Sequence, residues 1–386
     1  MSPSLCSFIV AVLVAPAVLR AQSGQFIVLL GRDTLAIEKY TRTADRLQGE
    51  QVVRSPRTVH RIYTVSFGPG GVTQRFELVT HNVSGAPGPL ETRATMAFAG
   101  ESVVTTVPRG DSTFTIRAKV GPGALPYLGQ AFGLVEEVAR RARAAGGDRY
   151  TTAMLALGDT DPLPVTVTRR GTDSLTFMLG GIGPLRARVD ERGTLLGVSG
   201  IGGTAQIIVE RVGGVGEVGG SLDFDALGKS FASRSLGTLS PPDSVRANVA
   251  GAALSVRYSR PSARGRVIFG NVVPWNQVWR TGANEATVFE TSADLLIGGT
   301  TVPAGKYTLW TIPARDAWKL IINRNTGQWG TDYNAQYDLA RLDMRVEALP
   351  LAVERFTIAI DSEGSGRGVL KLEWERTRAS IPFSRK

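Results

Sequence analysis

The sequence predicts a mainly β protein with two domains. The first is a curved antiparallel sheet packed on one helix (α+β), and the second is an antiparallel β-sandwich or jelly-roll-like domain. Three observations lead to this prediction. A length of 386 residues favours two domains over one. Short runs of alternating apolar and polar residues recur between turns rich in Gly and Pro. Gly is abundant, with 45 residues, and apolar residues at helical spacing are rare.

The N-terminal segment, 1–21, has the pattern of a secretory signal peptide. Residues 5–19 are almost wholly apolar, yet this run is too short to span a bilayer comfortably. Small residues follow at Ala21 and Ser23, which predicts cleavage near Ala21. The mature protein is therefore expected to be exported, periplasmic or extracellular, without a membrane span. The segment lacks the usual Lys or Arg before its apolar run, so an uncleaved N-terminal anchor is the alternative.

The first domain is predicted to cover 22–212 and to contain one helix at about 127–145. Apolar residues recur at helical spacing in that segment, and Gly146 and Gly147 follow as a stop signal. We expect an apolar concavity between the helix and the sheet, in outline similar to periplasmic lipid and lipoprotein carrier half-barrels. Strands are predicted at 26–30, 62–67, 75–80, 92–98, 112–120, 164–169, 174–179, 185–189, 194–198 and 205–212.

A Gly-rich linker with a short amphipathic segment is predicted at 213–239, and the second domain at 240–386. Gly298 and Gly299 indicate a tight hairpin turn. So many short strands in one domain favour a β-sandwich or jelly-roll. The strands are predicted at 245–249, 253–258, 286–291, 294–297, 306–312, 318–323, 356–360 and 370–374.

Four blocks of the second domain resemble a known family. They read YSRPSARGRVIFG (258–270), VPWNQVWRTGANEAT (273–287), VPAGKYTLWTIP (302–313) and LIINRNTGQWGTDY (320–333). In this order they are similar to the signature blocks of the bacterial exported domain of unknown function number 2911. The resemblance implies export, but it carries no established activity, so it implies no mechanism.

Composition excludes several kinds of site. Cys6 is the one cysteine and lies in the signal segment, so the mature chain has no disulfide, no cysteine–zinc site and no cysteine nucleophile. His60 and His81 are the two histidines, too few for a His-rich metal site. The net charge of +10 comes from arginines scattered along the chain rather than clustered, which argues against nucleic acid as a partner. No cofactor is predicted.

The stretch 256–290 holds the strongest candidates for ligand binding. Its arginines offer planar forks suited to carboxylate or phosphate, and its tryptophans offer flat apolar faces. These features favour a binding module for a carbohydrate, a cell-envelope fragment or a lipid, rather than an enzyme. The candidate residues are Tyr258, Arg260, Arg266, Trp275, Trp279, Arg280, Asn284 and Glu285, with Trp329 further along the chain.

Three other interpretations of these residues stay open. In an internal network, Arg280 would pair with Glu285, and Arg266 would bind loop carbonyls. A glycan-directed hydrolase would need Glu285 beside Asp332 or Asp338 in one cleft. A structural or assembly protein would use the tryptophans as a surface for a protein partner.

A calcium site is a further, weaker hypothesis for the second domain. Asp332, Asn334 and Asp338 carry the oxygen ligands that calcium prefers. Their spacing does not match an EF-hand loop, so no metal site is predicted.

Overall fold

The structure is a computed structural model that describes residues 21–83, 90–179, 183–201, 204–213 and 222–386. Residues 1–20 of the predicted signal peptide and 214–221 of the predicted linker lie outside these residues. Within them the chain forms two β-sheets and two α-helices. Neither of these helices is long and apolar enough to cross a membrane. The prediction of a mainly β protein with two antiparallel sheets is confirmed.

The first sheet has fifteen strands, with the first and last strands of the region paired in its middle. Strands β1 to β8 form a meander from the centre to one edge, and β9 to β15 return from the other edge until β15 pairs with β1. All pairs are antiparallel except β9 with β10. The strands are β1 Gln22–Leu30, β2 Asp33–Arg42, β3 Arg46–Val53, β4 Val59–Phe67, β5 Thr73–Asn82, β6 Glu91–Ala99, β7 Ser102–Arg109, β8 Ser112–Lys119, β9 Leu125–Tyr127, β10 Arg149–Ala156, β11 Leu163–Arg169, β12 Ser174–Leu179, β13 Gly183–Val189, β14 Leu195–Gly200 and β15 Ile207–Arg211.

The first helix, α1 (Phe132–Ala145), packs on this sheet as predicted. It begins five residues later than expected, because Leu125–Tyr127 forms β9 beside β10 instead. The predicted concavity between helix and sheet is not open. Leu134, Val138 and many inward side chains of the sheet fill that space in one hydrophobic core. A ligand cavity therefore has to lie elsewhere in the molecule.

A carboxyl group from the sheet caps the start of α1. Ala131, which precedes the helix, has no side chain that can accept a hydrogen bond from the first turn. Instead the amides of Phe132 and Gly133 donate to Glu38 Oε2 at 2.6 and 3.1 Å. Tyr63 Oη donates to the other oxygen of Glu38 at 2.5 Å. A Cβ at position 133 would lie 2.9 Å from the Tyr40 ring, so glycine allows this close approach.

Two acidic residues on α1 are buried rather than solvent-exposed. Glu136 accepts hydrogen bonds from Tyr40 Oη, from the Leu195 amide at 2.9 Å and from the guanidinium of Arg211. Glu137 pairs with Arg42 at 2.9 Å and with Arg141 at 3.0 Å. These ion pairs join the helix to β2 and β15, and their burial makes them sensitive to the loss of either partner.

The second sheet has nine strands in the order β16-β17-β18-β21-β22-β23-β24-β19-β20. The long β23 pairs with β22 and also with β24, and β16 packs against both β23 and β24. An aromatic core lies between the layers, in which Trp279 stacks on Trp374 with ring centroids 5.9 Å apart. The strands are β16 Pro242–Val249, β17 Ala252–Ser259, β18 Thr287–Thr291, β19 Leu295–Ile297, β20 Thr300–Val302, β21 Gly305–Ile312, β22 Trp318–Asn323, β23 Asp338–Gly364 and β24 Arg367–Arg385.

The segment between the two sheets is held against the first one. Helix α2 (Phe224–Ala232) contacts β3 and β4, and the Asp223 side chain caps its first turn. After the helix, the Leu236 amide donates to the carbonyl of Arg54 at 3.3 Å, and Ser55 Oγ donates to the carbonyl of Gly237 at 2.9 Å. The chain therefore enters the second sheet from a fixed position.

A loop of the second region also contacts the first sheet directly. The Arg32 amide donates to the carbonyl of Arg264 at 3.1 Å, and the Arg264 guanidinium pairs with Asp33 at 2.6 Å. Gly31 turns the chain between β1 and β2 with φ +60°, and a Cβ there would lie 2.3 Å from the Arg264 carbonyl. Only glycine suits both requirements. These contacts set the spacing between the two sheets beside a cavity that lies between them.

Candidate ligand-binding site

A cavity of about 1120 Å³ lies between the two sheets. Its volume is at the upper end of the roughly 300–1,000 Å³ typical of small-molecule sites. The first sheet and the connecting segment supply one wall, and loops of the second region supply the other. The lining residues are Leu30, Ser55, Pro56, Pro164, Thr166, Met178, Leu179, Pro184, Ile201, Thr204, Ala205, Thr238, Leu239, Ser240, Pro261, Ser262, Arg264, Arg266, Arg280, Asn284, Trp329 and Thr331.

The two walls differ in chemistry. The wall from the first sheet carries no charged side chain among the described residues, and most of its members are aliphatic or proline. The other wall carries three arginines, an asparagine and an indole. No carboxylate lines the described part of the cavity. The site therefore combines an apolar surface with a facing surface that is polar and cationic.

Two of the three arginines are occupied by the protein itself. Arg264 pairs with Asp33 as described above. Arg266 donates to the carbonyls of Ala263, Thr204 and Ser262 at 3.0, 2.7 and 2.8 Å. All three nitrogens of its guanidinium thus bind loop carbonyls. Arg266 therefore holds irregular backbone in place, and the charge of Arg264 is balanced by Asp33.

Arg280 differs from both of them. Its side chain has neither a hydrogen bond nor an ion pair with any described residue, although it is half-buried in the cavity wall. Burial alone lowers the pKa of Arg280 below its ordinary value. An arginine nevertheless stays protonated at physiological pH. A charged fork without a partner among the described residues thus lies in the cavity wall, and its nitrogens remain accessible to water or to a ligand.

The backbone that follows Arg280 has unusual geometry. Thr281 and Asn284 have φ angles of +52° and +60°, a region that Asn tolerates and that a β-branched Thr rarely adopts. The Thr281 hydroxyl is buried against Thr311 Oγ1 at 3.2 Å, which holds the turn in place. The Gly330 amide donates to the carbonyl of Asn284 at 3.0 Å. A Cβ at position 330 would lie 2.3 Å from the Arg280 side chain, so Gly330 leaves the space that Arg280 occupies.

Comparison with known proteins gives a family match for the second region. Residues 240–383 match the family described as "Protein of unknown function (DUF2911)". The resemblance predicted from the four sequence blocks is therefore confirmed. No curated protein matches the chain. The family description names no activity, so the chemistry of the cavity is the available guide to function.

Two solved structures show distant likeness to the chain. One is a DUF1089 family protein from Pseudomonas aeruginosa, 13% identical, which covers 44% of this chain and 91% of that one with a TM-score of 0.32. The other is a β-barrel-like protein of the domain of unknown function DUF1849 from Brucella abortus. It is 13% identical and covers 50% of this chain and 95% of that one, with a TM-score of 0.35. At these TM-scores neither likeness bears on function.

The candidate residues of the DUF2911 region separate into distinct places. Arg266, Arg280, Asn284 and Trp329 line the large cavity. Tyr258 and Glu285 lie instead at a smaller surface depression of about 530 Å³, where the Tyr258 ring is largely buried. Arg260, Trp275 and Trp279 line neither space.

The candidates outside the cavity have structural contacts. Arg260 pairs with Asp243 at 3.0 Å and binds the carbonyl of Phe356 at 3.0 Å. Trp279 is 7% exposed and packs in the aromatic core. Trp275 packs against Phe269 with ring centroids 6.0 Å apart. In these positions the side chains stabilise the fold of the DUF2911 region and do not reach the cavity.

The alternative roles find little geometric support. Arg280 does not pair with Glu285, which is exposed and outside the cavity. Asp338 is bound by Arg341 at 2.8 Å, Tyr333 at 2.6 Å and Asn323 at 2.8 Å. Neither Asp332 nor Asp338 belongs to the described lining of the cavity, so that lining holds no carboxylate pair for a hydrolase. Within the described part of the chain, no group of three potential metal ligands forms, and Asn334 instead accepts from the Gln336 amide at 3.0 Å.

The tryptophans of the DUF2911 region do not form an exposed surface. Trp310, Trp318 and Trp374 are at most 1% exposed, and Trp329 alone among the six has a large exposed fraction, 39%. An aromatic interface for a protein partner would need a contiguous patch of several hundred Å². The position of Trp329 at the cavity suits a small ligand better.

Sequence reasoning missed the apolar wall of the site. One exposed member, Met178, follows Phe177 and precedes Leu179 in β12, and the burial of the three residues alternates. Three consecutive apolar residues in a strand indicate that both faces of the sheet are covered. That signal was present in the sequence, but it does not say what covers the second face.

Proposed function

We propose that the protein binds an elongated apolar ligand, such as a lipid chain, in the cavity between the first sheet and the DUF2911 region. The observation that carries this proposal is the large cavity with an uncharged, mostly apolar wall. Apolar surface is favourably removed from water at roughly 25 cal/mol per Å². The exposed side chains of Pro164 and Met178, with the partly exposed Ile201 and Leu239, therefore favour a ligand that covers them.

Among the predicted ligand classes, a lipid fits this wall better than a carbohydrate. A sugar needs polar partners around its ring as well as an aromatic platform. Trp329 could supply one platform, but the opposite wall offers only scattered hydroxyls, such as Ser55 and Thr166. The lack of a carboxylate in the described lining supports binding rather than glycan hydrolysis.

Narrowing the cavity should weaken ligand binding without unfolding the protein. Met178→Trp introduces a bulky indole ring into the cavity. The Met178 side chain is 49% exposed, so its replacement disturbs little core packing. We expect the affinity for the apolar fluorescent probe N-phenyl-1-naphthylamine to fall at least about tenfold, a loss of about 1.4 kcal/mol. Probe fluorescence titration measures this affinity directly, and displacement by hexadecanol tests a lipid chain.

Ile208→Trp is the matched control. Ile208 is 50% exposed in β15 and does not line the cavity. It should bind the probe like the unsubstituted protein. Equal affinities for both variants, or no probe binding by the unsubstituted protein, would refute the proposed site.

A further inference from the structure

We infer that the ligand carries one anionic head, a carboxylate, and that Arg280 binds it. This inference rests on the proposed function, because it assumes that the ligand occupies the same cavity. It assigns a chemical class to the ligand and a specific role to one side chain.

The charge of the cavity favours an anion. Its described lining contains three arginines and no carboxylate. Asp33 neutralises Arg264 from outside the lining, and three loop carbonyls occupy Arg266. Arg266 has carbonyl partners but no carboxylate, and Arg280 has no partner among the described residues. An anionic head on the ligand would therefore meet a positive charge that the protein leaves unpaired at Arg280.

The position of Arg280 favours an amphipathic ligand over a small anion. The guanidinium shares the cavity with an apolar wall that includes Met178, Ile201 and Leu239. A small anion would leave that wall exposed to water, and a purely apolar chain would leave the guanidinium without a partner. A chain that ends in a carboxylate meets both requirements at once.

The surroundings of Arg280 suit recognition of a planar head. A guanidinium donates two parallel hydrogen bonds to a carboxylate, which a lysine ammonium cannot do. The neighbouring Asn284 is held by hydrogen bonds from its Nδ2 to the Ser240 carbonyl at 3.4 Å and Ser259 Oγ at 3.2 Å. Trp329 provides an exposed ring on the same wall. The wall that holds Arg280 is polar, with Asn284 fixed in place, while the opposite wall is mostly apolar.

The test compares three ligands that share one chain: hexadecanoate, hexadecyl phosphate and hexadecanol. Affinities are measured by displacement of N-phenyl-1-naphthylamine from the full chain and from Arg280→Gln, Arg280→Lys and Arg257→Gln. Arg257 is a surface residue of β17 that pairs with Glu290 at 2.9 Å, so it serves as the control for loss of one positive charge. Thermal unfolding shows whether each variant is folded; Arg280→Gln should be, since it removes no hydrogen bond to a described residue.

We expect the unsubstituted protein to prefer hexadecanoate over both other ligands. Arg280→Gln should weaken hexadecanoate about 10- to 150-fold, the range for a charge-assisted hydrogen bond. Its hexadecanol affinity should stay within about twofold, a change of about 0.4 kcal/mol. Arg280→Lys should recover part of the loss, and Arg257→Gln should change nothing.

Each contrary result has a definite meaning. Equal binding of hexadecanol and hexadecanoate, or an equal loss of both in Arg280→Gln, overturns the inference while the proposed apolar site stands. A preference for hexadecyl phosphate overturns the assignment of a carboxylate. If none of the three ligands displaces the probe, both the inference and the proposed function are wrong.

Discussion

Replacing Arg211 with Met is expected to lower the free energy of unfolding by about 3–5 kcal/mol. The side chains of Arg211 and Glu136 are 4% and 1% exposed, and they form an ion pair between β15 and α1. Arg211 also donates to the Leu195 carbonyl at 2.6 Å and to Tyr40 Oη at 3.0 Å. Its removal leaves the buried Glu136 carboxylate with only the more distant guanidinium of Arg140, at 3.7 Å, as a countercharge. Urea unfolding followed by circular dichroism measures the change.

A double-mutant cycle tests whether the pair is responsible. Glu136→Gln in the Arg211→Met background removes the negative charge of Glu136, so it should restore part of the lost stability. Arg75→Met is the control, because Arg75 and Glu77 form an exposed pair with side chains 49% and 50% exposed. That substitution should cost under about 1 kcal/mol. Strict additivity of the two buried substitutions would show that they do not act through each other.

Glu38 should make the protein less stable as the pH rises from about 5 to 8. Burial raises the pKa of Glu38 from 4.5 to about 8, against the lowering effect of the Tyr63 hydrogen bond. Below pH 4.5 the folded and unfolded states both hold the proton. Between the two pKa values only the folded state keeps it, so stability falls with rising pH. Above the folded-state pKa both states are ionised and the loss levels off, at no more than about 5 kcal/mol.

Glu38→Gln should remove this component of the pH dependence. The amide oxygen can still accept from the Phe132 and Gly133 amides, so the cap of α1 is retained. We expect the variant to match the unsubstituted protein near pH 5 and to be more stable at pH 9. Glu77→Gln, at an exposed position, controls for the loss of a carboxyl group. Urea unfolding at unit steps of pH gives the comparison; curves that run parallel over the whole range would contradict the assigned pKa.

Much of the fold could be predicted because its strands alternate in the usual way. The strands at 174–179 and 318–323 have the predicted bounds. Residues 33–53 carried no strand prediction, yet they form β2 and β3. Glu38 and Gln51 are both fully buried there, so polar residues at inward positions hid the alternation. In α1, Glu136 and Glu137 are likewise buried, where they form ion pairs with Arg211, Arg42 and Arg141.

The candidate site could be predicted only from the side of the DUF2911 region. Arg280, Asn284 and Trp329 stood out because unusual residues cluster in their segments. Arg266 stood out equally, but its guanidinium serves the loop rather than the cavity. Which of several arginines lacks a partner depends on contacts with distant residues such as Thr204. The apolar residues of β12 could not be assigned to this site for the same reason, since they belong to a different sheet.

The pairing of β1 with β15 has a consequence for how the protein reaches its fold. The middle of the first sheet joins the first and last of its strands, while its two edges come from β8 and β9 in the middle of that region. Contacts between residues so distant in sequence form slowly. During synthesis the strands from β1 to β8 can pair in order, but β1 keeps an open edge until residue 211 has emerged. An unpaired edge is a template for aggregation, so the first region is most vulnerable before its last strand arrives.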